Sequence, residues 1–138
     1  MIPIIQIHDY LVIPVQETLH DHLALALQDR LGDEIVRREP KAVIIDISTV
    51  EVLDSFIARV LDQIGHKALL MGLRTVVVGM QPAVAITLVE MGMDLDYVHT
   101  ALNIEHAIEL LDQSEQADLN DDDEASDDPE ADIGATAG

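Results

Sequence analysis

The sequence predicts an α/β fold in which about four helices pack on a mixed, mostly parallel sheet of four to five strands. Apolar residues make up 49% of the 138 residues and aromatic residues only 2%, so the core must be built from aliphatic side chains. Short aliphatic runs alternate along the chain with longer segments of helical periodicity. This alternation is typical of parallel strands joined by crossover helices, and the length fits one compact domain.

The first predicted elements are a hairpin and a helix. The apolar runs at 2–7 and 10–15 are short and closely spaced, which predicts two adjacent strands joined by a tight turn. Aliphatic residues then recur every four positions over 19–35, with charged residues on the other faces, and this pattern predicts an amphipathic helix. We expect Thr18 to be its N-cap and the helix to end before Pro40.

A central strand and a second helix come next. The continuous apolar run at 42–47 is typical of a strand that is buried on both faces of a sheet. Asp54 can cap the second helix, in which apolar residues at helical spacing continue to near Gly72. The run at 75–79 predicts the next strand of the sheet.

The last predicted elements are shorter. Pro82 fits the first turn of a third helix, which Gly92 would close. We expect a short strand at 97–98, and Asn103 can cap a fourth helix. The order of elements is therefore β-β-α-β-α-β-α-β-α.

The charge of the chain is strongly acidic. The formal net charge is -20, from 27 acidic and 7 basic residues, and the last basic residue is Arg74. Helical periodicity stops after Gln113, and the remaining residues are too charged to bury a core. We therefore expect a folded domain over 1–113 and a disordered acidic tail over 114–138. The negative field repels phosphate groups, which argues against nucleic acid and membrane surfaces as partners.

Several classes of site have no signature in the sequence. There is no cysteine, which excludes disulfides and thiolate sites. The six histidines show no metal-ligand spacing, and there is neither a P-loop nor a glycine-rich dinucleotide fingerprint, so we expect no metal and no cofactor. Without a recognisable signal peptide or an apolar run long enough to span a membrane, we expect a cytoplasmic protein.

Ser55 is the most informative residue, because it places a hydroxyl beside the carboxylate of Asp54 at a predicted helix start. Serine and aspartate are both common there as caps of unpaired backbone N–H groups, and this is the ordinary interpretation. The alternative is a phosphorylation switch, since negative charge is tolerated near a helix N-terminus. Phe56, the only phenylalanine, is expected to be a core anchor that fixes the helix presenting Ser55.

The loop before this helix carries further candidate residues. Asp46 lies near the carboxyl end of the central strand, where α/β sheets often place functional groups. Ser48 and Thr49 could be alternative phosphoacceptors, although turn formation is the simpler interpretation. Asp46, Asp54 and Ser55 could serve a small enzyme, but no second catalytic group has recognisable spacing, so we expect no catalytic residues. The residues expected to support the surface around Ser55 are Asp54, Phe56, Asp46, Ser48 and Thr49.

Three segments together resemble STAS domains. They are Asp46-Ile-Ser48 after the central strand, Asp54-Ser-Phe-Ile-Ala58 at the second helix, and Gly-Met-Gln-Pro-Ala-Val-Ala-Ile-Thr-Leu at 79–88. The order of elements agrees with that family, and the likeness covers about residues 1–113. In particular the chain resembles the single-domain stressosome scaffolds, although the acidic tail lies outside the usual family pattern.

This resemblance implies a noncatalytic regulator of a general stress response. Such a scaffold assembles with sensor-bearing STAS paralogues of the RsbR type and holds an RsbT-like serine/threonine kinase. Ser55 matches the family's phosphoacceptor, so its phosphorylation would release the kinase, and a dedicated phosphatase would reset the system. The alternative within the same fold is a free anti-sigma-factor antagonist controlled by serine phosphorylation.

Overall fold

The computed structural model describes residues 2–16 and 20–124, with side chains described as far as Glu115. Five strands and four helices succeed one another within these residues in the predicted order. They are β1 (Ile5–Ile7), β2 (Tyr10–Pro14), α1 (Asp21–Arg38), β3 (Ala42–Asp46), α2 (Ser55–Leu70), β4 (Arg74–Val78), α3 (Pro82–Glu90), β5 (His99–Ala101) and α4 (Ile104–Glu124). The described residues divide into two units, one up to Ala107 and one from Ile108 onward.

The strands form one mixed sheet in the order β1-β2-β3-β4-β5. β1 pairs antiparallel with β2, as expected of a hairpin, and the other neighbouring strands pair parallel. The register places Ile44 of β3 between Val12 of β2 and Val76 of β4. The predicted mostly parallel sheet with a central strand is therefore confirmed, and a helix connects each parallel pair.

Aliphatic side chains fill the core, as the composition predicted. The successive β3 residues Ile44 and Ile45 are both 0% exposed although they point to opposite faces of the sheet, so this strand is buried on both faces. The largest fully buried side chains come from the sheet, from Val15 just after β2, from α1 and α2, and from the loop before α2. They are Leu11, Ile13, Leu27, Leu31, Ile44, Ile45, Ile47, Leu61, Ile64, Val15, Val43 and Val50.

Helix α1 has a different start from the one that the sequence suggested. Its N-cap is His20, whose side chain makes no capping hydrogen bond, and its first turn closes through a bond of 2.9 Å from Ala24 N to the His20 carbonyl. Thr18, the expected cap, lies outside the described residues. The other end agrees with the prediction, because the helix stops at Arg38, before Pro40.

Strand β5 is His99–Ala101, so the expected strand at 97–98 is wrong by two residues. The amide of Tyr97 donates a hydrogen bond of 3.1 Å to Oδ1 of Asp62 on α2. The Tyr97 ring also stacks on His66, with ring centroids 4.3 Å apart. These contacts hold Tyr97 against α2, and pairing with β4 begins only at His99.

Helix α4 begins as predicted but ends later. Oδ1 of Asn103 accepts a hydrogen bond of 2.8 Å from the His106 amide, which is the predicted cap. The helix continues to Glu124, whereas we expected helical structure to stop near Gln113. Loss of apolar periodicity does not by itself end a helix, because a nucleated helix adds residues at little cost. Residues 125–138 lie outside the described residues, so the acidic tail and its boundary stay predictions.

Candidate functional site

The candidate residues lie at the carboxyl edge of the sheet, between β3 and α2. β3 ends at Asp46, and the loop 47–54 leads to Ser55, the first residue of α2. Open parallel sheets commonly place functional groups at this edge. The loop is anchored in the core by Val50 and Leu53, which are 0% and 3% exposed. The start of α2 therefore has a fixed position relative to the sheet.

Asp46 shapes the first residues of the loop. Its side chain is half-buried, and its Oδ1 accepts a hydrogen bond of 2.9 Å from the backbone N of Ser48. An aspartate that bonds the backbone two residues further on forms an Asx turn. In this geometry Asp46 is a turn former that places Ser48 and Thr49 on the surface, where both are exposed.

Ser48 joins the loop to the segment after β4. Its carbonyl accepts a hydrogen bond of 2.9 Å from Nε2 of Gln81. Gly79 lies against it with φ of 76°, and a Cβ on Gly79 would come 2.8 Å from Cβ of Ser48. Glycine is the residue that takes this conformation and this close approach without strain. The segment 79–88 and the loop after β3, which the sequence presents as separate motifs, are therefore in direct contact.

Thr49 ties the same loop to the end of β2. Its hydroxyl donates a long hydrogen bond of 3.4 Å to the carbonyl of Val15. The backbone of Val15 in turn donates to the carbonyl of Asp46 at 2.8 Å. Thr49 thus contributes to the connection between neighbouring strand ends.

Asp54 caps helix α2, as predicted. Its backbone is extended, with φ of -99° and ψ of 172°, and its Oδ1 accepts a hydrogen bond of 2.8 Å from the Ile57 amide. Capping requires only one such side chain. Ser55 is exposed, and its hydroxyl forms no hydrogen bond with the described residues. The capping hydrogen bond of α2 therefore does not involve the Ser55 hydroxyl.

The residues after Ser55 fix the helix to the core. Phe56 is half-buried and packs against the core cluster, in agreement with its expected role as an anchor. Ile57 and Ala58 are 4% and 0% exposed. Three successive side chains thus hold the first turn of α2 in place while Ser55 points to solvent.

Arg59 is a residue that the sequence reasoning missed. It is exposed and lies four residues after Ser55 on α2, and residues at this spacing share one face of a helix. Arg59 forms no hydrogen bond or ion pair with the residues that the structure describes. The signal that could have found it is the spacing of four between a hydroxyl and a guanidinium on a predicted helix.

A cavity of about 410 Å³ opens beside the loop. Asp46 lines it from the end of β3, and residues 102–105 line it at the start of α4. Asp54 and Ser55 are not among its lining residues, so this cavity does not unite the three residues of the enzyme alternative. Among the side chains that the structure describes, which extend to Glu115, no cluster of three or more metal-ligating groups is present. No helix in this part of the chain is long and apolar enough to cross a membrane.

Comparison with known proteins identifies the family. A model of the STAS domain matches residues 1–107. The chain belongs to the STAS family. This STAS domain is similar to RsbS from Moorella thermoacetica, solved as a serine-to-glutamate variant, with 41% identity, a TM-score of 0.72, and coverage of 83% of this chain and 97% of that chain.

Two further relatives are similar to this STAS protein. A chain in a structure of the stressosome, described as a signal integration and transduction hub, is 44% identical with a TM-score of 0.71, and the match covers 80% of this chain and 96% of that one. The RsbT co-antagonist protein RsbRA of Bacillus subtilis (strain 168) is 31% identical over 75 residues. That match covers 54% of this STAS protein but only 27% of RsbRA.

Proposed function

We propose that this STAS protein is a noncatalytic stressosome scaffold and antagonist in a general stress response. It holds an RsbT-like serine/threonine switch kinase and releases the kinase when Ser55 is phosphorylated. The observation that carries this proposal is that Asp54, and not Ser55, caps the start of α2. Asp54 makes the capping hydrogen bond, and the exposed Ser55 hydroxyl makes no hydrogen bond with the described residues. A kinase can reach such a hydroxyl without unfolding the helix.

The relatives support the same function. RsbS and the stressosome chain are 41% and 44% identical to this protein over nearly their whole length. RsbS was solved with glutamate in place of a serine, and glutamate is a common mimic of phosphoserine. RsbRA is named as a co-antagonist of RsbT, which supports a kinase of that type as the partner.

Electrostatics explain how phosphorylation would release the kinase. A phosphate on Ser55 adds about -1.5 to -2 charges. It would lie beside the carboxylate of Asp54 on a chain whose net charge is already -20. A kinase docked on this surface would have to desolvate that charge, and each loss of about 1.4 kcal/mol weakens binding tenfold. Two such losses would reduce the affinity about a hundredfold.

The proposal includes a larger assembly and a reset step. RsbR-like STAS paralogues would join the protein in a mixed multimeric shell, and a dedicated phosphatase would remove the phosphate. The surface around Ser55 is supported by residues that do not react themselves, namely Asp46, Ser48, Thr49, Asp54 and Phe56.

The alternative function is that of a free anti-sigma-factor antagonist, which would need no multimeric shell. Size-exclusion chromatography with an RsbR-like paralogue distinguishes the two, because the scaffold elutes in a large complex and the free antagonist does not.

The decisive experiment measures kinase binding to the wild type, Ser55→Ala and Ser55→Asp before and after addition of ATP. We expect the wild type to lose an RsbT-like kinase after ATP, Ser55→Ala to retain it, and Ser55→Asp to bind at least about tenfold more weakly from the outset. Ser48→Ala is the matched control, since it removes another exposed hydroxyl of the same edge and should behave as the wild type.

Phosphopeptide mapping after ATP identifies the acceptor directly. Phosphate on Ser55 supports the proposal. Phosphate on Ser48 or Thr49, with equal kinase binding by all the Ser55 variants, would contradict it.

A further inference from the structure

The segment that presents Ser55 carries one basic residue. Over 47–59 that residue is Arg59, and the acidic residues are Glu51 and Asp54. The Asp54 carboxylate already accepts the Ile57 amide at 2.8 Å. Arg59 is exposed and has neither a hydrogen bond nor an ion pair to any described residue. A guanidinium without a partner among the described residues thus lies one turn from the proposed phosphoacceptor.

Helix geometry brings the two side chains within reach of each other. Residues four apart on a helix have Cβ atoms about 5–6 Å apart, and pairing is favoured when the acidic group precedes the basic one. A phosphate on Ser55 would precede Arg59 in this order. Arginine also binds phosphate through two parallel N–H donors, which makes the pair stronger than a point-charge contact.

The other charged residues of the neighbourhood do not offer the same contact. Asp54 and Glu51 repel a phosphate. Lys67, the other basic residue of α2, lies two turns beyond Arg59 and donates a hydrogen bond of 2.7 Å to the Gln28 carbonyl. Arg59 is therefore the one base of α2 that is placed to meet the phosphate.

We propose that Arg59 is the intramolecular partner of the phosphate on Ser55, so that phosphorylation closes an ion pair along the first turns of α2. This inference rests on the proposed function only in taking Ser55 as the acceptor. The consequence is that phosphorylation changes two side chains of the docking surface. It adds negative charge at Ser55 and withdraws the guanidinium of Arg59 from contact with a partner.

The test uses the full chain with phosphoserine incorporated at position 55 during translation, so that no kinase is needed. Titration by ³¹P NMR measures how tightly the phosphate dianion binds the proton that converts it to the monoanion. We expect this proton affinity to be about two- to threefold higher in Arg59→Gln than in the wild type, because the ion pair favours the dianion. Arg59→Lys should keep part of the effect, since a single ammonium pairs less well than a guanidinium.

A matched control moves the charge without removing it. The double variant Arg59→Gln with Gln63→Arg keeps the net charge but places the guanidinium eight residues from Ser55, one turn too far for contact. Gln63 is exposed, and its side chain bonds only the Gln28 side chain at 3.2 Å among the described residues. We expect this double variant to titrate as Arg59→Gln does.

Two results would overturn the inference. One is a phosphate titration in Arg59→Gln that equals the wild type. The other is a wild-type titration in the double variant, which would assign the effect to the general field of the helix and not to a pair. A failure of the kinase to phosphorylate Ser55 would instead count against the proposed function and leave these titrations unchanged.

Discussion

Replacing Asp54 by alanine should destabilise the protein, whereas replacing Ser55 by alanine should not. Asp54→Ala removes the acceptor of the hydrogen bond of 2.8 Å from the Ile57 amide, and loss of an N-cap costs about 1 kcal/mol. Ser55→Ala removes a hydroxyl that has no partner among the described residues, and alanine is a good helix former. With a urea dependence of about 2 kcal/mol/M, the unfolding midpoint of Asp54→Ala should fall by about 0.5 M.

The assay is urea unfolding followed by far-UV circular dichroism at neutral pH. Asp54→Asn is the control for the side chain itself, because asparagine keeps an oxygen that can cap the helix and should lose little stability. Ser55→Ala should leave the midpoint within about 0.2 M of the wild type. Equal losses in Asp54→Ala and Ser55→Ala would show that the serine hydroxyl supports the helix start. That result would remove the main structural argument for Ser55 as a free phosphoacceptor.

Three further predictions concern stability and ionisation. Gly65→Ala should lower the free energy of unfolding by about 1–3 kcal/mol in thermal or urea unfolding, because the new Cβ would lie 2.6 Å from the Tyr97 carbonyl oxygen. An unchanged midpoint would mean that the backbone at Tyr97 moves away at little cost. Thr75→Val should stabilise the protein by about 1 kcal/mol in the same assay, because the Thr75 hydroxyl is fully buried and has no hydrogen-bond partner among the described residues. The hydrogen bond from Arg37 holds the pKa of Glu34 below its usual value, so Arg37→Gln should raise that pKa in a carboxylate NMR titration. Because the pKa is lowered on folding, this pair stabilises the protein above the unfolded pKa of the carboxyl and loses that effect as the pH falls through the folded pKa.

The fold could be predicted where its signal is local. Continuous apolar runs identify β3 and β4, and the N-cap of α2 is evident from a single aspartate before an amphipathic segment. The errors lie where contacts between residues far apart in the sequence determine the structure. Tyr97 belongs to an apolar dipeptide that looks like a strand, but Asp62 and His66 of α2 hold it outside the sheet. No local pattern contains those partners, which are more than thirty residues away.

The candidate site could be predicted residue by residue, but its connections could not. The hydrogen bond between Gln81 and the Ser48 carbonyl joins positions 33 residues apart, and it exists because β3 and β4 are neighbours in the sheet. The proposed pairing of a phosphate on Ser55 with Arg59 is different, because a spacing of four on a helix is visible in the sequence. What the structure adds there is the observation that Arg59 is exposed and forms no pair with the described residues.

The contacts around Ser55 indicate what kind of switch it would be. The Gln81 bond to Ser48, the Asp54 cap and the packing of Phe56 do not involve the Ser55 hydroxyl, so a phosphate would break none of them. Phosphorylation should therefore change the charge of the surface without moving the backbone.

The salt dependence of kinase binding distinguishes two ways in which this charge could act. If the kinase covers the phosphate, the loss of binding free energy comes from desolvation, which salt screens little. If the kinase is only repelled from a distance, the effect falls steeply above about 0.15 M salt, where the Debye length is about 8 Å. We expect the ratio of kinase affinities between Ser55→Ala and Ser55→Asp to persist at about 0.5 M salt, and a collapse of that ratio would contradict direct coverage of Ser55.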